Sequence, residues 1–521
     1  MSKLTFGLLL VSVMCLGSVP DSGYIGRVDT IGGSTDDLQV LGPSLVRLVL
    51  EAGTALHVAW SRSTSDSSTL PDVRPRVNRY GLGSRTWSYT GPDYMESGAE
   101  VCTSRAVLGS VDAASGDVYL SVELDEEPEN RPAIVRLSDS AMCRGPAGFV
   151  SPVLSAGQNG WLQLGFADQV SREQLRYSKV MTWCEWEPEY TLTRPMLPVY
   201  NIAASKTSNR VCLAWTRVEE GQRRPAFYIE STDGGATWGR IVQMSVPYAF
   251  RSDTVVSFTA HSAHPYYDQQ DRLHIVVSLV PMVDSVLQFS PAAIWHWCRE
   301  NDTAWSKVHR TGCDPGLLQG EMGDWCAYVG RPSLGEDDDG GLYCAWEQFD
   351  STNVAPSGFL RAGIWLSRSV DNGRTWSDGT RITGTNGMSH RFPSICRGTL
   401  PGFDDDTVVV SYLADLEPGA FVLGEGEPSD NPVVCQFVSS NLVSSVAERP
   451  GGTAPAPMSP LLPSLCRGRV LLNGADEATL YDASGRECLR LTPGWNSTGA
   501  LRPGLYFARI SARCHRLVVA D

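Results

Sequence analysis

Beyond its first two dozen residues, this 521-residue chain has no run of about eighteen consecutive apolar residues, so no later segment is built to cross a bilayer as a helix. It has no CxxC pair, which leaves a structural zinc site without support. It also lacks a basic excess. The formal net charge is −15, which disfavours nucleic acid and anionic membrane as partners. One His-x-x-His occurs, in "HSAHPYYDQQD" (His261–Asp271), but no third ligand stands at a defined spacing, so no metal is assigned. That stretch reads as a loop. Once Cys15 is set aside, thirteen cysteines remain, an odd number, so at least one is unpaired within the chain. Cys313 and Cys326 flank one loop and form the expected disulfide, while Cys212 and Cys344 sit in apolar strand patterns and read as buried thiols.

What the sequence does have begins with "MSKLTFGLLLVSVMCLGS", a Lys followed by an apolar run too short to span a bilayer. It reads as a secretory signal peptide over residues 1–22, cleaved between Gly17 and Gly23. Met14 before Cys15 suits a lipidation site poorly. Gly (50) and Pro (32) are plentiful, as short strands joined by turns require. From Ser459 onward eight Arg face five acidic residues, a local excess of positive charge on an acidic chain, and that step marks a domain boundary.

A short apolar strand ending in a small residue and an aromatic or apolar one recurs seven times: "LHVAW" at Leu56, "VYLSV" at Val118, "LQLGF" at Leu162, "VCLAW" at Val211, "LHIVV" at Leu273, "LYCAW" at Leu342 and "VVVSY" at Val408. Around each copy the pattern reads strand A, turn, strand B, loop, strand C, turn, strand D. These B strands are apolar on both faces, so both faces must be covered. Four-stranded antiparallel sheets that repeat and are buried on both faces pack side by side around an axis, which is a β-propeller. The fold expected is all-β, a six- or seven-bladed propeller over residues 23–445, with seven blades favoured. A Pro/Ala/Gly linker (446–458) and a small β-sandwich-like domain (459–521) follow.

Two stretches share Ser-x-Asp-x-Gly-x-Thr-Trp: Ser231, Asp233, Gly235 and Trp238, then Ser369, Asp371, Gly373 and Trp376. Worn versions end at Trp87, Trp183 and Trp305. This motif resembles the Asp-box, or BNR repeat, of the sialidase superfamily. The resemblance covers residues 37–445 and implies a structural role, with the Asp accepting hydrogen bonds inside the C–D turn, the Trp packing between sheets and the Gly taking a positive φ. At the other end, Leu480-Tyr481-Asp482, Gly485-Arg486 and Leu501–Phe507 resemble a type A sorting domain of the type IX secretion system. That resemblance implies a bacterial protein handed to the secretion machinery and released, or held at the cell surface. Asn496-Ser497-Thr498 reads as a turn in that setting.

Sialidase chemistry, by the same resemblance, would use the face opposite the Asp-boxes. It needs an arginine cluster for the substrate carboxylate, a Tyr–Glu nucleophile pair and an Asp acid. Arg331 ("RPSL") and Arg391 ("RFPS") open two A strands and are the candidate clamp. Glu347, Asp350 and Asp415 follow B strands and read as loop acids; Tyr412 ends one and reads as core. The family's first-blade Arg is missing, since Gly42 stands there, and no Tyr–Glu pair can be assigned. The acidic turns "EDDDGG" (Glu336–Gly341) and "FDDDT" (Phe403–Thr407) could supply oxygen ligands to calcium, though solvated turns are the reading favoured. The function expected is a secreted or surface propeller that binds a glycan or a surface protein without catalysis. An exo-sialidase or other glycoside hydrolase with a divergent site is the alternative, and an assembly scaffold the weaker third.

Overall fold

The computed structural model describes residues 23–443 and 465–520, apart from 40–45, 52, 64–72, 89–100, 111–115, 125–127, 159, 182–183, 194–198, 219–223, 246–256, 284–285, 312–317, 386, 399, 401–406, 468, 473–477, 483–485, 493, 499 and 511–512. The signal-peptide and linker assignments, Gly42, Trp183, Cys313 and residues 403–406 of "FDDDT" therefore lie outside the described residues. The chain divides into two compact units, Met1–Ala447 and Glu448–Asp521.

The first unit is a β-propeller. Its described residues form seven antiparallel sheets, numbered here in order of their A strands. Those A strands are Leu48–Glu51, Val101–Ser110, Phe149–Ala156, Tyr200–Ala204, Ser257–Tyr267, Val329–Glu336 and Ser389–Ile395. Each pairs with a B strand that carries one of the seven sequence repeats, from Ala55–Ser63 in sheet 1 to Thr407–Asp415 in sheet 7. Sheets 1 to 6 run A-B-C-D in chain order, with one extra short strand (Val286–Leu287) on sheet 5. In sheet 7 the fourth strand is Arg27–Ser34 from the N-terminal end, with Arg27 opposite Phe437. Consecutive sheets touch through their A strands, and Arg27–Ser34 touches the B strand of sheet 1, so the ring is closed.

The physical reason is in the B strands. Val211–Thr216 is buried at every residue, and so is Val118–Leu124, because each B strand lies between two neighbouring sheets. Leu213, Trp215 and Phe227 of sheet 4 join Leu164 and Phe166 of sheet 3 in one continuous core. Cys212 and Cys344 are buried free thiols within these layers.

Three differences from the sequence reading follow. His261 and His264 lie in the A strand of sheet 5 rather than in a loop; His264 shares a hydrogen bond with Asn201 (3.0 Å). Cys326 is a free buried thiol, and the disulfide among the described residues joins Cys143 to Cys184, 41 positions apart. Glu347 and Asp350 lie inside the long B strand of sheet 6, Leu342–Val354, which runs past the point where the sequence suggests a loop.

The second unit forms seven strands in the order Glu487–Leu491, Ala478–Asp482, Gly504–Ile510, Arg513–Ala520, Leu465–Arg467, Arg469–Leu472 and Gly494–Ser497. Leu480, Leu491 and Ala508 are fully buried among its described residues. Asn496 lies in a strand, and its amide closes on both backbone groups of Thr492 (2.9 and 2.7 Å).

Candidate functional site

In an up-and-down sheet the A–B and C–D turns share one end, and the B–C and D–A connections share the other. The two Asp-boxes occupy C–D turns. Ser231 donates to Asp233 (2.8 Å), Gly235 N–H donates to the Ser231 hydroxyl (2.8 Å), and Thr237 donates to Asp233 from both N–H (2.8 Å) and hydroxyl (2.6 Å). Ser369, Asp371, Gly373 and Thr375 repeat this pattern within 0.1 Å. Each box also docks on the preceding sheet. A Cβ at Gly235 (φ 84°) would fall 1.7 Å from the Tyr177 hydroxyl, and one at Gly373 (φ 72°) 2.2 Å from His296. Trp238 packs edge-on against Tyr177, and Trp376 against His296. The Asp carboxylates face their own turns, and none points into a cavity shared with another acid.

Three of the predicted candidates, Arg331, Arg391 and Glu347, gather at the opposite end. Three A strands carry a bulge just before a proline, with Ser151, Arg331 and Phe392 in the left-handed region (φ 56°, 49° and 59°). Arg331 is therefore the counterpart of Phe392, and Arg391 lies one residue earlier, so the two arginines are not equivalent in the repeat. They converge nonetheless. Arg331 Nη1 donates to Glu347 Oε1, Arg391 Nε donates to Glu347 Oε2 (3.2 Å), and Phe392 N–H donates to the same oxygen (3.0 Å). Both guanidiniums pack on the Phe392 ring, with Cζ at 4.7 and 5.1 Å from its centre. Arg391 Nη2 also reaches Cys326 Sγ at 2.9 Å.

Glu347 is wholly buried. Burial alone would raise its carboxyl, but Arg331, Arg391 and the Phe392 N–H outweigh it and hold the group well below the usual carboxylate range. The repeat explains the placement. Glu123 occupies the same position of the sheet 2 B strand and accepts the Ser151 N–H at 2.7 Å, as Glu347 accepts that of Phe392. A B-strand glutamate thus secures the bulge of the following sheet in two places.

Around this pair lies a wider set of buried acids. Asp415 is pushed up to about 8 by burial and then by Asp37, with Arg391 opposing the rise; burial lifts Asp37 to about 6 against the Phe421 N–H (2.6 Å). Asp36 rises to about 8 through burial and Asp37, and Arg47, which donates to Gln39 (2.8 Å), opposes the rise. On the far side of Arg331, burial followed by Arg331 and Arg224 lowers His261 to about 3. Tyr412 is not part of this set. It lies in the core between sheets 6 and 7 and donates to Gln436 at 2.8 Å. Asp350 accepts from Thr352 in its own strand.

A cavity of about 330 Å³ opens at the Asp-box end. It is walled by the A–B ends of sheets 1, 4, 5, 6 and 7, which is the mouth of the axis. Glu336 of "EDDDGG" lines it, whereas Asp337 turns into the sheet, accepting from Arg368 (2.7 Å) and Tyr343 (3.1 Å). No group of three or more His, Cys, Asp or Glu among the described residues is placed to hold a metal ion. No described helix is long and apolar enough to cross a membrane.

No protein-family model and no curated protein matches the sequence. Among solved structures, the chain is similar to a polysaccharide lyase of family PL25, an ulvan lyase (11% identity over 80% of this chain and 95% of that one, TM-score 0.47). It is also similar to a GH93 α-L-arabinofuranosidase of Fusarium graminearum (11%, 64% and 93%, TM-score 0.36) and to a protein of unknown function from Dyadobacter fermentans (14%, 79% and 99%, TM-score 0.39). Likeness at that level says nothing of the chemistry.

Proposed function

We propose that this protein is a secreted or cell-surface propeller that binds glycans without cleaving them. The observation that carries the reading is the position of Glu347. Its carboxylate fills the space between Arg331 and Arg391, where the carboxylate of an acidic sugar would have to sit in a sialidase-type clamp. The face that the two arginines share is already filled by a carboxylate, which leaves no place there for a second. The equivalent use of Glu123 supports a structural role for the pair. Tyr412, held by Gln436 away from any acid, offers no activated nucleophile. The test is direct: the purified protein releases no sialic acid from a fluorogenic sialoside and retains ligands on a glycan array. Release that Arg391→Ala abolishes would overturn the reading.

A glycoside hydrolase with a divergent site is the second reading, and one observation favours it. Asp415 and Glu347 both feel the charge of Arg391, and their protonation is pushed in opposite directions, the relation expected of an acid and its partner. It predicts hydrolysis of a neutral or acidic polysaccharide that Asp415→Asn removes while leaving the fold intact. The signal peptide and the type IX sorting domain belong to the proposal as well. Deleting residues 459–521 would leave the protein inside the outer membrane of a type IX-competent host, and unchanged export of the truncated chain would refute that assignment.

A further inference from the structure

The second Asp-box docks on sheet 5 through a chain of buried side chains. Asp268 and Arg272 stand in the A–B turn of that sheet, His274 in its B strand (Leu273–Val283), His296 in its C strand (Ala292–Cys298) and Ser306 in its D strand (Trp305–Thr311). His274 Nε2 meets Asp268 Oδ2 at 3.1 Å, His274 Nδ1 meets His296 Nε2 at 2.8 Å, and His296 Nδ1 meets Ser306 Oγ at 3.1 Å. The Ser306 hydroxyl then donates to the Gly373 carbonyl of the box, and Trp376 Nε1 donates to Ser306 Oγ (3.3 Å). Both imidazoles are wholly buried.

The directions of these bonds fix the number of protons. Ser306 gives its one hydroxyl hydrogen to Gly373, so His296 Nδ1 must donate to Ser306 Oγ. At the other end Asp268 accepts the Arg272 N–H (2.7 Å) and Nε–H (2.6 Å). Burial pushes its carboxyl up, but the hydrogen bonds from His274 and Arg272 outweigh that and hold it below the usual carboxylate range. Facing an ionised carboxylate, His274 Nε2 carries a hydrogen too. The 2.8 Å contact between the rings needs a third. Two neutral imidazoles hold only two ring hydrogens, so the pair carries one positive charge. Burial, and then the charge of His274, keep His296 well below the usual imidazole range against the pull of the Gly373 carbonyl, which leaves the charge on the ring beside Asp268.

We propose that this third proton fastens the sheet 6 box, and that its loss to solvent as pH rises loosens the box from sheet 5, while the sheet 4 box on Tyr177 stays in place. An extra proton held by the fold is the one given up as pH rises. Without it, two bare nitrogens face each other across the rings, or His274 turns a bare nitrogen toward Asp268. Either arrangement breaks a buried hydrogen bond in the line that ends at Gly373. The other titratable groups around the pair are engaged elsewhere. Tyr266, its ring 6.5 Å from that of His274, gives its hydroxyl to Glu336 (3.3 Å). Cys298, opposite His274 in the ladder, gives its thiol to Glu300 (3.3 Å), and Asp371 accepts from Ser369 and Thr375. Asn301 and Asn372, joined by two bonds of 3.0 Å, hold the outer part of the turn at any pH, so the loosening is local.

Nitrogen NMR on the intact chain, labelled in histidine, tests the proton count. Near neutral pH one ring of the coupled pair should show both nitrogens protonated and the other Nδ1 alone. Only two ring hydrogens on the pair would overturn the proposal. Amide exchange tests the fastening. The Gly373 and Gly235 N–H groups make the same bond to a box serine (2.9 and 2.8 Å) but dock on different side chains. Between about pH 6 and 9, after correction for base catalysis, Gly373 should lose protection about tenfold or more while Gly235 keeps it. Parallel behaviour of the two glycines overturns the fastening even if the pair is charged. Both readouts use the unaltered chain, and His296→Gln should leave Gly373 with no such pH dependence.

Discussion

The two ends of the propeller axis are built from the same repeat and treat charge in opposite ways. At the B–C end, buried groups answer one another: Glu347 is held by two guanidiniums and a backbone N–H. At the A–B end, Glu336 and Arg397 border the same cavity, one at the hydroxyl of Tyr266 and the other over its ring. The lesson is that a buried charge is informative only together with its partners. A cluster whose acid is held from within by two arginines and a backbone N–H reads as architecture, even where a family resemblance would look for catalysis.

Breaking the closed end should have the largest effect. Glu347→Ala leaves Arg331 and Arg391 buried without their counter-charge and should cost about 3–5 kcal/mol in chemical denaturation. Glu336→Gln at the open end removes a desolvated carboxyl and should leave the midpoint unchanged or raised. Equal losses at both ends would erase the contrast. Next comes Gly373→Ala, which forces a Cβ toward His296 from a left-handed backbone and should cost about 2–4 kcal/mol without touching ligand affinity.

The pH dependence sharpens the contrast further. Asp415 has a raised carboxyl, about 8 when folded against 3.8 unfolded, so its stabilisation is complete below pH 3.8 and is lost as pH rises toward 8. Glu347 is depressed, so its contribution holds above its unfolded value of 4.5 and fades as pH falls toward its folded pKa. Between pH 7 and 8, above the range in which the buried neutral histidines act, denaturation midpoints should therefore decline with pH, and Asp415→Asn should flatten the slope. A slope unchanged in that variant would mean that the acid is ionised in the fold. The smallest effect is expected at Asp233→Ala, about 1–2 kcal/mol from lost turn hydrogen bonds, again with binding intact.

Much of the fold is legible in the sequence because each B strand must be apolar on both faces, and that requirement repeats. "VCLAW" and "LYCAW" announce their own burial. The site is less legible. Arg331 and Arg391 look equivalent in a list of Pro-Ser motifs, and only the bulge before the proline shifts one against the other. Glu347 reads as a loop acid because its partner lies 44 positions away in the next sheet. No local pattern encodes that pairing, nor the union of Cys143 with Cys184. Glu336 reads as part of a solvated acidic turn, yet it is buried against Tyr266 and the Gln269 N–H of the preceding sheet, partners some seventy positions away.

The strand Arg27–Ser34 has a consequence for how the molecule comes into being. Its pairing of Arg27 with Phe437 joins points about four hundred residues apart, while nearly every other ladder is between neighbours along the chain. Local hairpins carry a small entropic toll and can form as soon as they are made, whereas this closure must wait for almost the whole unit to exist. Six sheets can take shape in sequence while the seventh remains three strands wide. The N-terminal strand is thus the clasp of a circle that is drawn first and fastened last.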